Sequence, residues 1–184
     1  MRHLMLVLAL LILLCQSVGA EEHLALNEPW PCLYLFGDEA FWHPCVDGTG
    51  YFTFYCCALP GYRPIGTLYF SISLSSDNLA LSDVVFPPEA VVISGGDLPG
   101  DVAVSIDCNS YDWNVVFSAT LFVGTESEEA VVIGPFTGES APLSIANDGT
   151  EEYLHCMDLM INDELCNPVE APGYSWGALK SLYQ

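Results

Sequence analysis

Apolar side chains recur at every second position through most of the chain after residue 50, and that period leaves few folds open. In GTLYFSISLSS, Leu68, Phe70, Ile72 and Leu74 point one way, and Thr67, Tyr69, Ser71 and Ser73 the other. DVAVSIDC sets Val102, Val104, Ile106 and Cys108 against Ala103, Ser105 and Asp107. DWNVVFSATLFV puts Trp113, Val115, Phe117, Ala119, Leu121 and Val123 on a single face. A pleated strand turns successive side chains to opposite faces, so each segment reads as a strand with one buried side. The β-branched runs DVVF, AVVIS and AVVIG lie between them, punctuated by Pro-Pro at 87, Gly-Gly at 95, Pro-Gly at 99 and the turn GTESEEA from Gly124. Several short strands so spaced predict an all-β chain, mainly an antiparallel β-sandwich.

The two ends depart from this pattern. Residues 1–20, MRHLMLVLALLILLCQSVGA, have a basic start, an apolar run from Leu4 to Leu14 and small residues at 18–20. That is the layout of a secretory signal peptide cut before Glu21, so the protein is expected to be secreted, with no membrane span in the mature chain. Residues 21–50 are aromatic and loop-like, whereas 167–184 form a Pro- and Gly-containing tail. The domain is therefore expected over 21–166. Within it, DGTEEYLHCMDLMINDELC admits two readings. Asp148 with Glu151 offers a capping box for a short helix, while Tyr153, His155, Met157, Leu159 and Ile161 follow a strand, which the neighbouring sheet favours.

Removing Cys15 with the leader leaves seven of the eight cysteines. An oxidising compartment implies disulfides, and an odd number leaves one over. In YFTFYCCALP, Phe52, Phe54 and Cys56 share the apolar side, while Tyr51, Tyr55 and Cys57 face outward. Cys108 ends a core-facing row, so Cys56–Cys108 is the favoured bond across the interior, with Cys32–Cys45 and Cys156–Cys166 as local closures. Cys57 is then the candidate for an unpaired thiol or for a disulfide-linked homodimer.

Charge narrows the partners. Loss of Arg2 leaves Arg63 and Lys180 against 24 carboxylates, a formal charge of −22. Nucleic acid is excluded, because phosphate binding needs cationic surface, and anionic lipid is disfavoured. Such a field draws in basic proteins. The carboxylates concentrate in turns: Glu126, Glu128 and Glu129 in GTESEEA, Asp97 and Asp101 around Pro-Gly, and Asp148, Glu151 and Glu152 in NDGTEE. Gathered at one end, they would form a negative rim beside the aromatic anchors Trp30, Tyr34 and Trp42.

No catalytic motif is present. GESAP lacks the second glycine of a nucleophile elbow, and the mature histidines His23, His43 and His155 adjoin no serine motif. The His43-x-Cys45 and His155-Cys156 pairs lack the paired short spacings of zinc sites, and ANDGTEE lacks the EF-hand register. No metal and no cofactor are expected. No Asn-x-Ser/Thr sequon occurs, so no N-linked sugar covers these faces.

With its leader, its acidic cysteine-bearing sandwich and the strand VAVSIDC running into a cysteine, the chain resembles the secreted immune-evasion β-sandwich proteins of poxviruses. That resemblance implies a soluble decoy that captures a chemokine or cytokine without catalysis. The expectation is therefore a non-enzymatic binder of a basic extracellular protein. An acidic calcium-binding or matrix protein is the first alternative, and a hydrolase of unfamiliar type the second.

Overall fold

The computed structural model describes residues 30–38, 40, 43–108, 112–163 and 166. The leader at 1–20, the tail at 167–184 and Trp42 lie outside the described residues. Among these residues thirteen strands run in order: β1 (Cys32–Phe36), β2 (Cys45–Val46), β3 (Gly50–Leu59), β4 (Ile65–Leu74), β5 (Leu79–Val85), β6 (Val91–Gly95), β7 (Gly100–Cys108), β8 (Asn114–Val123), β9 (Glu129–Gly134), β10 (Leu143–Ala146), β11 (Glu151–Tyr153), β12 (His155–Met157) and β13 (Leu159–Ile161). No helix occurs among the described residues.

They form two layers. One sheet has five strands in the order β12-β1-β3-β8-β5. The other has eight, in the order β11-β10-β4-β9-β13-β2, with β7 also paired to β4 and β6 to β7. Pairing is antiparallel except for β1 with β12 and β2 with β13. The all-β sandwich expected from the alternation is the fold observed.

The core follows from the apolar rows. Leu68, Phe70 and Ile72 of β4, Val102, Val104 and Ile106 of β7, and Phe54 and Cys56 of β3 are all buried. Phe117 of β8 is the ring where the layers meet. It stacks on Phe70 of the opposite sheet, centroids 6.3 Å apart and planes 8° from parallel. Phe54 and Phe86 close on it from the sides at 5.9 and 5.8 Å. Edge and offset contacts of this kind add to the burial term, because ring faces and edges carry opposite partial charge.

Four sequence expectations are corrected here. First, Trp113 and Val115 do not share a face with Phe117. The β3–β8 register runs Cys56↔Phe117 and then Cys57↔Val115, so Val116 is an extra residue in β8. A bulge of one residue exchanges the faces beyond it. Val116 is buried beside Phe117, and Trp113 turns to the outer face, 5.1 Å from both Tyr34 and Phe36. Second, the stretch expected as an N-terminal loop contains β1, an interior strand hydrogen-bonded to β3 on one side and β12 on the other.

Third, the segment near the C-terminus is neither a helix nor one continuous strand. Its β11 joins β10, β12 joins β1 in the other layer, and β13 returns to pair with β9 and β2. The breaks fall at Leu154, buried, and at Asp158, whose carboxylate accepts a hydrogen bond from the Ile133 amide at 2.8 Å. Asp148 caps no helix; it accepts the Thr150 amide at 2.9 Å in a tight turn. Fourth, AVVIS is a strand without a buried side, since all five residues of β6 are exposed at the sheet edge. The opposite layer's edge, β5, is bent by a register shift after Ser82 at Asp83, where φ is 49°. Kinks and charges on an edge discourage strand addition by a second chain.

Truncating the central ring tests this core. Phe117→Ala should cost about 3–5 kcal/mol in urea unfolding, whereas Tyr51→Ala on the exposed side should cost no more than about 0.5 kcal/mol.

Candidate interaction surface

The five-stranded sheet turns an open face outward, and its rows follow from register. Tyr51 lies opposite Phe122, and Phe122 opposite Ala80. Thr53, Thr120 and Ser82 form the next row, then Tyr55, Ser118 and Val85. Tyr51 is 76% exposed and Phe122 38%, their rings packed at 5.1 Å. Cross-strand aromatic pairs of this sort hold each other's rotamers, which lowers the entropy lost when a partner covers them. Past the bulge the face continues into Tyr34, Phe36 and Trp113, with His155 edge-on to Tyr34 at 6.1 Å. Sequence parity made Tyr51 legible as outward. Phe122 was also legible, as the residue between core-facing Leu121 and Val123.

The carboxylates divide between the two ends of the sandwich. Gly50, Val123 and Leu79 are register neighbours, and Ile161 pairs with Glu129, so the loops β2–β3, β4–β5 and β8–β9 and the residues after β13 meet at one end. Asn162 ties them: its Oδ1 accepts the Gly48 amide at 2.6 Å, and its Nδ2 donates to the Thr125 carbonyl at 3.1 Å. Asp47, Asp77, Glu126 and Glu128 are exposed there. The β6–β7 turn with Asp97 adjoins them, as Gly100 pairs with Ile72 and Pro99 lines the same shallow depression as Asp77. Asp101, at the start of β7, accepts the Thr137 amide at 3.3 Å.

Asp148, Glu151 and Glu152 occupy the opposite end. There Arg63 donates to Asp148 at 3.1 Å and approaches Glu152 at 3.7 Å, and it also donates to the Thr150 hydroxyl. The hydrogen bonds with Thr150, then Arg63, hold the Asp148 carboxyl below its usual range. Arg63 is the only Lys or Arg among the described residues, so the end bearing Glu126 and Glu128 has no cation among them. The eight acidic residues singled out from the sequence thus make two groups rather than one rim.

Glu129 is not a contact residue. It is 8% exposed, and its Oε1 accepts hydrogen bonds from Asn78 at 3.1 Å, Ser127 at 3.0 Å and Thr125 at 3.3 Å. Burial acts to raise its pKa, but the bonds from Ser76, Asn78, Ser127 and Thr125 outweigh burial and hold the carboxyl below its usual range. It organises the acidic loop from beneath. Trp30 is exposed, while Tyr34 is half-buried in its aromatic cluster.

The cysteines are grouped differently from the expected pairs. Cys56 lies in the five-stranded sheet and Cys108 in the eight-stranded one, and the thiol neighbours of Cys56 are Cys57 and Cys156. Cys156 lies near Cys32 as well, and Cys45 meets Cys166. Cys57 does face away from the core, but its exposure is 0%, so it cannot reach a second chain from this fold. Burial pushes its thiol up to about 12. Among the described residues, no three His, Cys, Asp or Glu side chains converge to hold a metal ion. The shallow depression carries one carboxylate, Asp77, where a glycosidase needs a pair.

No family model matches the chain, and no curated protein matches it. Solved structures do. The sixth cohesin of scaffoldin B from Acetivibrio cellulolyticus, in complex with the Cel5 dockerin, is similar with a TM-score of 0.51 and 11% identity, over 73% of this chain and 99% of that one. A non-cellulosomal cohesin from the hyperthermophilic archaeon Archaeoglobus fulgidus matches with a TM-score of 0.49 and 10% identity, over 72% of this chain and 89% of that one. The likeness is one of fold: a β-sandwich of the architecture seen in the Acetivibrio module.

Two measurements test the site. A carboxyl with a lowered folded pKa contributes stability above its ordinary value and loses it as pH falls through the lowered one. Between pH 6 and pH 3 the wild type should therefore lose more unfolding free energy than Glu129→Gln, and parallel losses would remove the role assigned to Glu129. In the reduced native protein at pH 8, iodoacetamide should leave Cys57 unmodified while labelling it fully in urea, as read by mass spectrometry.

Proposed function

We propose that this chain is a secreted, non-enzymatic binding module that captures a basic extracellular protein, with chemokines and cytokines the ligand class that fits. The carrying observation is the juxtaposition of a rigid aromatic pair, Tyr51 and Phe122, with the end of the sandwich where Asp47, Asp77, Glu126 and Glu128 stand exposed and without a described cation. Apolar anchors supply the slow dissociation of an interface, and a one-signed field supplies fast encounter. The remaining rows of the face, Thr53, Thr120, Ser82 and Ser118, offer hydroxyls that donate or accept as the partner requires.

Support comes from three further directions. The leader-like first twenty residues direct the chain outward. The similar Acetivibrio module is itself in complex with a protein, a dockerin, and so uses a comparable sandwich for binding. The profile resemblance to poxvirus decoys points to the same class of soluble ligand. Capture needs neither a cofactor nor a catalytic pair.

The test is a surface-binding titration of the purified full chain against a panel of basic chemokines and cytokines and acidic controls. Basic ligands should bind, with association slowing about tenfold or more between 50 and 500 mM salt while dissociation changes little. Glu126→Gln with Glu128→Gln should lower the association rate several-fold, and Tyr51→Ala should raise the dissociation rate about tenfold or more. Binding that ignores salt and survives both variants would overturn the proposal.

A further inference from the structure

Six of the seven cysteines outside the leader, all but Cys108, lie on β12, β1 and β3 of one layer and on β2 or just past β13 of the other, toward the side where β12 and β2 are the edge strands. That side is stitched from very short strands. The outermost, β2, is two residues long, paired as Met160↔Cys45 and Ile161↔Val46. At its two ends Met160 N donates to Pro44 O and Asn162 N to Val46 O, each at 2.9 Å. So few ladder bonds hold a terminal strand weakly, because every residue ordered costs about 1–2 kcal/mol of chain entropy.

The chain beyond β13 returns to this same place. Cys166 N donates to Asp163 O at 2.8 Å, and the Cys166 thiol approaches the Met160 carbonyl at 3.7 Å. Met160 is the register partner of Cys45, so the Cys166 thiol comes beside that of Cys45, near enough to act on its ionisation. Gly37 packs directly against the Cys45 carbonyl, where a Cβ would clash, and Gly37 N donates to His43 O at 2.8 Å.

We propose that Cys45 and Cys166 form a disulfide that fastens β2 to the turn after β13 and closes this side of the sandwich. The bond replaces the expected local closures Cys32–Cys45 and Cys156–Cys166. Formation consumes one disulfide oxidant of the glutathione class. The half-buried Cys166 thiolate attacks glutathione disulfide, releasing one glutathione and leaving a mixed disulfide. Cys45, once deprotonated, then attacks the Cys166 sulfur and expels the second glutathione. Two thiol protons are taken up by the two departing glutathione thiolates, and two electrons pass from the cysteine pair to glutathione. Burial first, and the Cys166 neighbour second, push the Cys45 thiol up to about 12 in the closed fold, so the second step is slow at neutral pH unless β2 opens.

The experiment uses the full chain, refolded with glutathione disulfide, alkylated without reduction, digested with pepsin and read by mass spectrometry. The expected product is a Cys45 peptide joined to a Cys166 peptide, which separates on reduction. A Cys45 peptide joined to Cys32, a Cys166 peptide joined to Cys156, or alkylation of both thiols would overturn the assignment. A paired variant, Cys45→Ser with Cys166→Ser, should melt roughly 6–12 °C below the oxidised wild type and match the wild type once reductant is added. Equal melting under oxidising conditions would show that the bond fastens nothing. This outcome is independent of ligand capture, because neither residue lies on the Tyr51–Phe122 face.

Discussion

Phe117 is the ring on which the two layers stack. Its ring lies flat against Phe70 of the eight-stranded sheet and receives Phe54 and Phe86 from its flanks. For that ring to point inward, β8 must hold its register with β3 up to Cys56, and directly past that point the extra residue Val116 enters the strand. The bulge permits two successive residues, Val116 and Phe117, to be buried together. Everything on the far side of it is inverted, which is why Trp113 and Val115 contribute to the exterior. The aromatic face and the core are thus set by a single register choice, and no side chain could be moved between them without shifting a whole strand.

Electrostatics divides the molecule in a way that composition hides. A chain with 24 carboxylates and three Lys and Arg residues reads as uniformly negative. Folding places Arg63 beside Asp148 and Glu152 at one end, and it draws Glu129 under the opposite loop as a hydrogen-bonded strut. What remains exposed at that second end, Glu126, Glu128, Asp47 and Asp77, is charge with no Lys or Arg among the described residues beside it, next to the Tyr51–Phe122 pair. A partner meets a surface that is asymmetric in field and apolar at one spot, which is what orients an encounter.

Much of this fold was legible, and the legible parts share a cause. The rows of β4 and β7 were readable from alternation because both strands have one face in the core and one outside, so burial prints a period of two on the sequence. The strand β6 failed the same reading. Val91, Val92 and Ile93 are β-branched, yet an edge strand hanging from β7 alone has no second layer to cover it. The three-residue strands β11, β12 and β13 are too short to print any period, and they change layers at Leu154 and Asp158. Of the eight acidic positions, Asp97, Glu126, Glu128 and Asp148 lie in turns, whereas Asp101, Glu129, Glu151 and Glu152 fall in strands, and the sequence could not say that they lie at opposite ends.

Sequence alone determined the class: the period of the apolar residues demands strands with one dry face, and the excess of carboxylates demands a surface that rejects polyanions. Both are sums over local chemistry and need no knowledge of neighbours. Tertiary structure decided which cysteines meet, which carboxylate is a strut and which a surface charge, and which aromatic rings are left for a partner. Those outcomes depend on strand order and on a one-residue bulge, which bring together positions as distant as Cys45 and Cys166 or Gly48 and Asn162. Such pairings are set by the closing of two layers on one core, and a reading of the chain residue by residue cannot contain them.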